Sequence, residues 1–157
     1  MIKIESIEVY QIDLPIKEGR YSWSNENSVS IFDSTVVKIK TNLDIIGLGE
    51  VCTLGPAYLP AYPEGVRAGI KKFGKALLGL DPTELTKINS VMDANLKGHN
   101  YVKSPIDMAC WDILGKYTKQ PIWKILGGKF GKEVELYRAI SQERPNIMSK
   151  KVKKYKK

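Results

Sequence analysis

Apolar and polar residues alternate through the first third of the chain, then recur every three to four positions through the middle, so the pattern separates strands from helices. Ile7, Val9, Tyr10, Ile12 and Leu14 form a run that ends at Pro15, where the backbone loses a ladder donor. β-Branched residues fill positions 35–41 and 45–51 on either side of Asn42-Leu43-Asp44, an arrangement that predicts a hairpin. Three such strands make an antiparallel meander with one face to be covered.

The helical repeat supplies the cover. Val66, Ile70, Phe73 and Leu77 define an apolar stripe between Glu64 and Gly79. Asp81-Pro82-Thr83-Glu84 predicts the next helix start, with Asp81 as cap, Pro82 in the first turn and Glu84 as the capping-box acid. Its inner face is Leu85, Ile88, Met92 and Leu96. A third helix is predicted from Ser104-Pro105, with Asp107 in the first turn and Ile106, Ala109, Cys110, Ile113 and Leu114 facing inward. Pro121-Ile122-Trp123-Lys124-Ile125-Leu126 then reads as a short turn stopped by Gly127-Gly128. Strands first and helices second is an α+β order. After Gly131, residues 134–140 read as one more strand and residues 145–157 as a helix, a lone β/α unit with nothing to pair with.

Composition changes this picture little. A hydrophobic fraction of 43% and a charged fraction of 27% in 157 residues fit one globular domain with a real core. No long apolar run and no signal-like N-terminus occur, so a cytoplasmic protein without a membrane partner is expected. The net charge of +8 is uneven: residues 143–157 hold seven basic side chains and one acid. That tail reads as the solvated face of a helix, with non-specific phosphate binding as the other reading and no specific nucleic acid expected. Cys52 and Cys110 stand in no metal-ligand spacing and are expected as buried thiols, and His99 as a loop residue.

The chemical motifs are sparse. No phosphate loop, metalloprotease helix or nucleophile elbow occurs, and Gly47-Leu48-Gly49 continues a strand, which suits close backbone packing. Asp107 and Asp112 lie about 140° apart on a helix and do not converge on one metal. Asp112, beside Trp111, is expected as a buried structural carboxylate at the domain interface. Residues 53–63 differ: three prolines with Tyr58 and Tyr62 make a stiff aromatic loop, cheap to order over a ligand. Arg20-Tyr21-Ser22-Trp23-Ser24 is a second aromatic loop. In both, aromatics packed on their own loops are the alternative.

Residues 102–116, Tyr58-Leu59-Pro60-Ala61, Arg67-Ala68-Gly69-Ile70, Leu77-Leu78-Gly79-Leu80-Asp81-Pro82 and Pro121-Ile122-Trp123-Lys124-Ile125-Leu126-Gly127-Gly128 together resemble the capping domain of the mandelate racemase/muconate-lactonizing enzymes. Within that branch of the enolase superfamily, the stretch from Gly98 to Gly115 is most similar to the hydroxyproline dehydratases. The resemblance implies a capping domain over residues 1–130, an enolase N-terminal domain-like fold. It further implies the first strand and helix of a truncated β/α (TIM) barrel over residues 131–157.

It also implies α-proton abstraction by a barrel lysine, Mg²⁺ stabilising the enediolate, and loss of a hydroxyl to give a cyclic imine acid. The cap loops, here about residues 17–31 and 53–63, would close over the substrate. Tyr21, Trp23, Tyr58 and Tyr62 are the substrate-side candidates. A barrel needs roughly 250 residues, far more than follow Lys116, so no catalytic base or metal ligand is assigned and no Mg²⁺ is expected to bind this chain. A hydroxyproline-like substrate then requires a barrel, supplied by a second chain, and the family is often homo-oligomeric. The alternative is a non-enzymatic binding module acting through the aromatic loops or the basic tail. Residues after about Gly131 are expected to be disordered or self-associated.

Overall fold

A computed structural model describes residues 1–156 and divides them into two compact units. One comprises Met1–Ile12 and Asp33–Lys129; the other comprises Asp13–Phe32 and Phe130 onward. The elements are β1 (Ile4–Pro15), β2 (Tyr21–Ser22), β3 (Ser28–Val29), β4 (Ile31–Thr41), β5 (Ile46–Cys52), α1 (Pro63–Leu77), α2 (Leu85–Asn95), α3 (Asn100–Thr118), α4 (Ile122–Ile125) and α5 (Pro145–Tyr155).

The predicted meander is a three-stranded antiparallel sheet in the order β1-β4-β5. The hairpin register runs from Ser34 opposite Cys52 to Lys40 opposite Ile46. At its turn Asp44 adopts a left-handed φ of 55°, and the Thr41 hydroxyl accepts from the Ile45 amide at 3.2 Å. On β5 the odd positions Gly47 and Gly49 face α3, because their missing side chains let two backbones meet. A methyl group at Gly49 would lie 1.9 Å from the Pro105 carbonyl oxygen, and one at Gly47 would lie 2.1 Å from that of Ala109. Period two then turns Ile46, Leu48, Glu50 and Cys52 outward. Cys52 is therefore exposed, which corrects the expectation of a buried thiol, while Cys110 is fully buried.

The α1 stripe of Val66, Ile70, Phe73 and Leu77 is buried as the repeat predicts. Each such side chain contributes about 1.5–3 kcal/mol of burial. It meets Val37, Ile39, Ile88, Met92, Val102 and Ile106 in one core. Two predicted helix starts are corrected. Asp81 accepts from the amide and hydroxyl of Thr83 at 2.8 and 2.6 Å, a tight local turn. Helix α2 consequently begins at Leu85, and Glu84 pairs with Lys87 at 3.0 Å rather than closing a capping box. Helix α3 begins at Asn100, a turn before Ser104, because left-handed His99 after Gly98 reverses the chain there and Val102 and Lys103 gain buried sites. Pro105 thus lies inside the helix, and Asp107 accepts from Asn89 at 2.8 Å instead of standing in the first turn.

In the second unit, residues 17–31, read as a loop, contain the β2–β3 hairpin, with Tyr21 opposite Val29. The strand predicted over 134–140 does not form. Val134, Leu136 and Tyr137 are 84%, 92% and 92% exposed, since no neighbouring strand among the described residues offers them a ladder. The helix predicted after it does form, as α5.

Candidate functional site

Each aromatic loop has its own geometry. In the second unit the Tyr21 and Trp23 rings stack at 6.0 Å with 25° between their planes. The hairpin holds them: the Trp23 amide donates to the Asn27 carbonyl at 3.0 Å, and Arg20 donates from its guanidinium to the Ser28 hydroxyl. Its base is tied to a distant stretch of chain. Ser141 accepts from the Ser22 amide and donates to the Arg20 carbonyl, both at 3.1 Å, and the Gln142 amide donates to the Ser22 carbonyl at 2.8 Å. Arg20, Ser22, Trp23, Asn27 and Gln142 thereby line an open polar cleft of about 500 Å³. The sequence singled out Tyr21 and Trp23 but not Ser141 or Gln142, because nothing local marks two polar residues as partners of a hairpin 119 positions away.

In the first unit, residues 53–63 carry Tyr58 and Tyr62. The Tyr58 and Leu59 amides both donate to the Gly55 carbonyl, which closes the tip. Tyr58 is 61% exposed, while Tyr62 lies 6.4 Å from the Tyr101 ring, which in turn meets the edge of His99 at 5.8 Å. Burial, with Tyr62 beside it, pushes the Tyr101 hydroxyl above its ordinary pKa. Both tyrosines are exposed, and Tyr62 shares its exposed position with the Tyr101 ring. His99 and Tyr101 belong to that cluster through the Gly98 turn, a signal the sequence showed only as a loop.

At the root of this loop, Arg67 donates to both carboxylate oxygens of Asp33 at 2.7 and 2.9 Å and to the Thr35 hydroxyl at 3.2 Å. Ser34 donates to Glu50 at 2.5 Å. The Thr53 hydroxyl, where the loop leaves the sheet, is the one buried side-chain polar atom among the described residues without a hydrogen-bond partner. The thiol of Cys52 is raised by partial burial and by nearby Glu50, so it is a poor nucleophile. Asp112 accepts from the Leu48 amide at 2.9 Å and pairs with Lys116 at 2.6 Å, and it is half-buried rather than buried as expected.

Among the described residues no three His, Cys, Asp or Glu side chains converge as metal ligands. The donor set present therefore does not fit a Mg²⁺ ion. Each loop presents aromatic surface and hydrogen-bonding groups.

A three-stranded meander with a helical layer and two aromatic loops defines the class: an enolase-type N-terminal domain. The sequence pattern of the family described as mandelate racemase/muconate lactonizing enzyme, N-terminal domain, matches residues 13–127, and the chain belongs to that family. It is 56% identical over 154 residues to a cis-3-hydroxy-L-proline dehydratase of Roseibium aggregatum, covering 98% of this chain and 42% of that protein. It is 30% identical over 148 residues to an N-succinyl-L-Arg/Lys racemase of Bacillus cereus, covering 94% of this chain and 40% of that one. An enolase-superfamily member from Roseovarius nubinhibens, solved in complex with magnesium, superimposes with a TM-score of 0.87 at 40% identity, covering 99% of this chain and 42% of its own. The chain thus spans about two fifths of the length of these relatives.

Proposed function

We propose that this chain is the capping portion, with the first β/α unit, of a Mg²⁺-dependent dehydratase acting on cis-3-hydroxy-L-proline or a close analogue. The observation that carries this reading is the 56% identity to the Roseibium dehydratase across nearly the whole chain. In this reading residues 1–130 form the cap and residues 131–157 begin a barrel. The base that removes the α-proton lies outside this chain, and so does Mg²⁺, whose chemistry is to stabilise negative charge on the substrate carboxylate as that proton leaves. The chain contributes the cover: Tyr21 and Trp23 from one loop, Tyr58 and Tyr62 from the other, excluding water and selecting a compact ring.

The test combines this chain with the part of the Roseibium dehydratase that lies beyond the matched residues. The expected result is turnover of cis-3-hydroxy-L-proline with Mg²⁺ by the mixture and none by the chain alone. Turnover by the isolated chain would refute the division of labour. A stable complex that leaves every hydroxyproline isomer unchanged would refute the substrate class.

A further inference from the structure

We propose that Asp33 and Arg67 are positioning residues that restrain the roots of both aromatic loops through one ion pair. The proposal rests on the dehydratase reading, because the pair acts on substrate only through the loops that cover it.

Chain order puts the pair where it can act. Residues 17–31 follow β1, which ends at Pro15, and run into β4, on which Asp33 stands just after Ile31 and Phe32. Residues 53–63 follow β5, which ends at Cys52, and run into α1, with Arg67 one turn beyond Pro63. Asp33 Oδ1 accepts from Arg67 Nη1 at 2.7 Å. Its Oδ2 accepts from Arg67 Nη2 at 2.9 Å and from Gln11 Nε2 on β1 at 3.2 Å. Arg67 Nη1 also donates to the Thr35 hydroxyl at 3.2 Å. One carboxylate on β4 is thereby joined to β1, which feeds the first loop, and to α1, which receives the second.

The geometry is that of a restraint. Two parallel N–H···O bonds fix the guanidinium plane against the carboxylate, so the turn of α1 and the position of β4 are set together. The two side chains are only 22% and 25% exposed, which weakens solvent screening relative to a surface pair. The fourth root is reached through the next residue: Ser34 stands opposite Cys52 in the β4–β5 register. Just beyond Cys52, the buried Thr53 hydroxyl makes no hydrogen bond among the described residues, so that root gains no polar restraint from its own side chain. Asp33-Ser34 therefore meets the elements at all four loop roots, and the Arg67 fork is the bidentate contact among them.

The experiment has two arms. In the isolated chain, amide hydrogen exchange is followed by NMR for the parent, Asp33→Asn and Arg67→Lys. The lysine variant keeps the charge but loses the fork, and it decides the matter if Asp33→Asn does not fold. The amides read are those of Trp23 in the first loop and of Tyr58 and Leu59 in the second, each bonded within its own loop. They should exchange about fivefold faster in the variants, because such amides open locally and do not report global stability. Parental rates at these amides would overturn the proposal, whatever happens in the core. A response confined to one loop would overturn the shared root. In the second arm, chain and Roseibium remainder are mixed, and Arg67→Lys should raise KM for cis-3-hydroxy-L-proline about tenfold with little change in kcat. Loss of kcat at unchanged KM would overturn the positioning role. A parent mixture without turnover counts against the dehydratase reading, while the exchange arm, which needs no substrate, still decides the loop roots.

Discussion

A glycine facing a backbone and a glycine facing space answer differently to one added methyl group. Gly49→Ala drives a Cβ into the Pro105 carbonyl, and neither strand nor helix backbone can yield cheaply. A loss of about 3 kcal/mol is expected by urea denaturation, at the top of the range for overpacking. Gly74→Ala on α1 meets only a methyl of Ile70 at 3.9 Å, so it should stabilise by about 0.5–1 kcal/mol through lower chain entropy. Charge at the surface gives a second residue-scale expectation. Hydrogen bonds from Lys40, then Tyr10, with Lys38 nearby, hold Glu8 at a pKa of about 2 against an ordinary 4.5. A carboxylate depressed in the folded state stabilises above its unfolded pKa and loses that contribution as pH falls toward its folded one. Glu8→Gln should therefore be less stable than the parent at neutral pH, and the gap should close between pH 4.5 and about 2 in parallel denaturation curves.

At the scale of elements, helix α3 does two jobs against β5. It packs on the glycine face, and its Asp112–Lys116 pair serves the strand's outer edge. Asp112 accepts from the Leu48 amide, while Lys116 donates to the Ile46 carbonyl at 2.7 Å. Two edge groups that would invite another strand are thus satisfied by side chains. Asp112→Ala should cost about 1–2 kcal/mol and speed exchange of the Leu48 amide measured by NMR. The sequence disclosed the glycine contact, because Gly47-Leu48-Gly49 stood in a strand and opened no helix. It hid the latch, because Asp112 and Leu48 are 64 positions apart. Helix faces were readable from periodicity alone, as Val66, Ile70, Phe73 and Leu77 show. Helix starts were not: the signals at Asp81 and Ser104 were real polar turns and prolines, but tertiary burial of Val102 moved one start back, and an Asp81–Thr83 turn moved the other forward. The four aromatic site candidates were visible as residue types in loops. Their surroundings were not, since Tyr101 and Ser141 enter only through tertiary contacts.

For the whole molecule, residues 132–140 make no backbone hydrogen bond among the described residues. Their amides are expected to exchange near intrinsic rates while those of β4 and α3 are protected, and slow exchange in a monomer would contradict the open segment. The sequence marked this stretch as a strand because alternation reports a side-chain pattern, whereas a strand exists only where a neighbour completes its ladder. A different consequence follows from the Ser22–Ser141 clasp. During synthesis the ribosome delivers Tyr21 and Trp23 early, yet the hydroxyl that braces their hairpin arrives only 119 positions after Ser22. The sheet and helices of the first unit can assemble as they emerge, but this hairpin must wait for its brace. A nascent chain arrested before Ser141 would therefore carry a settled core and an aromatic loop still open to proteases.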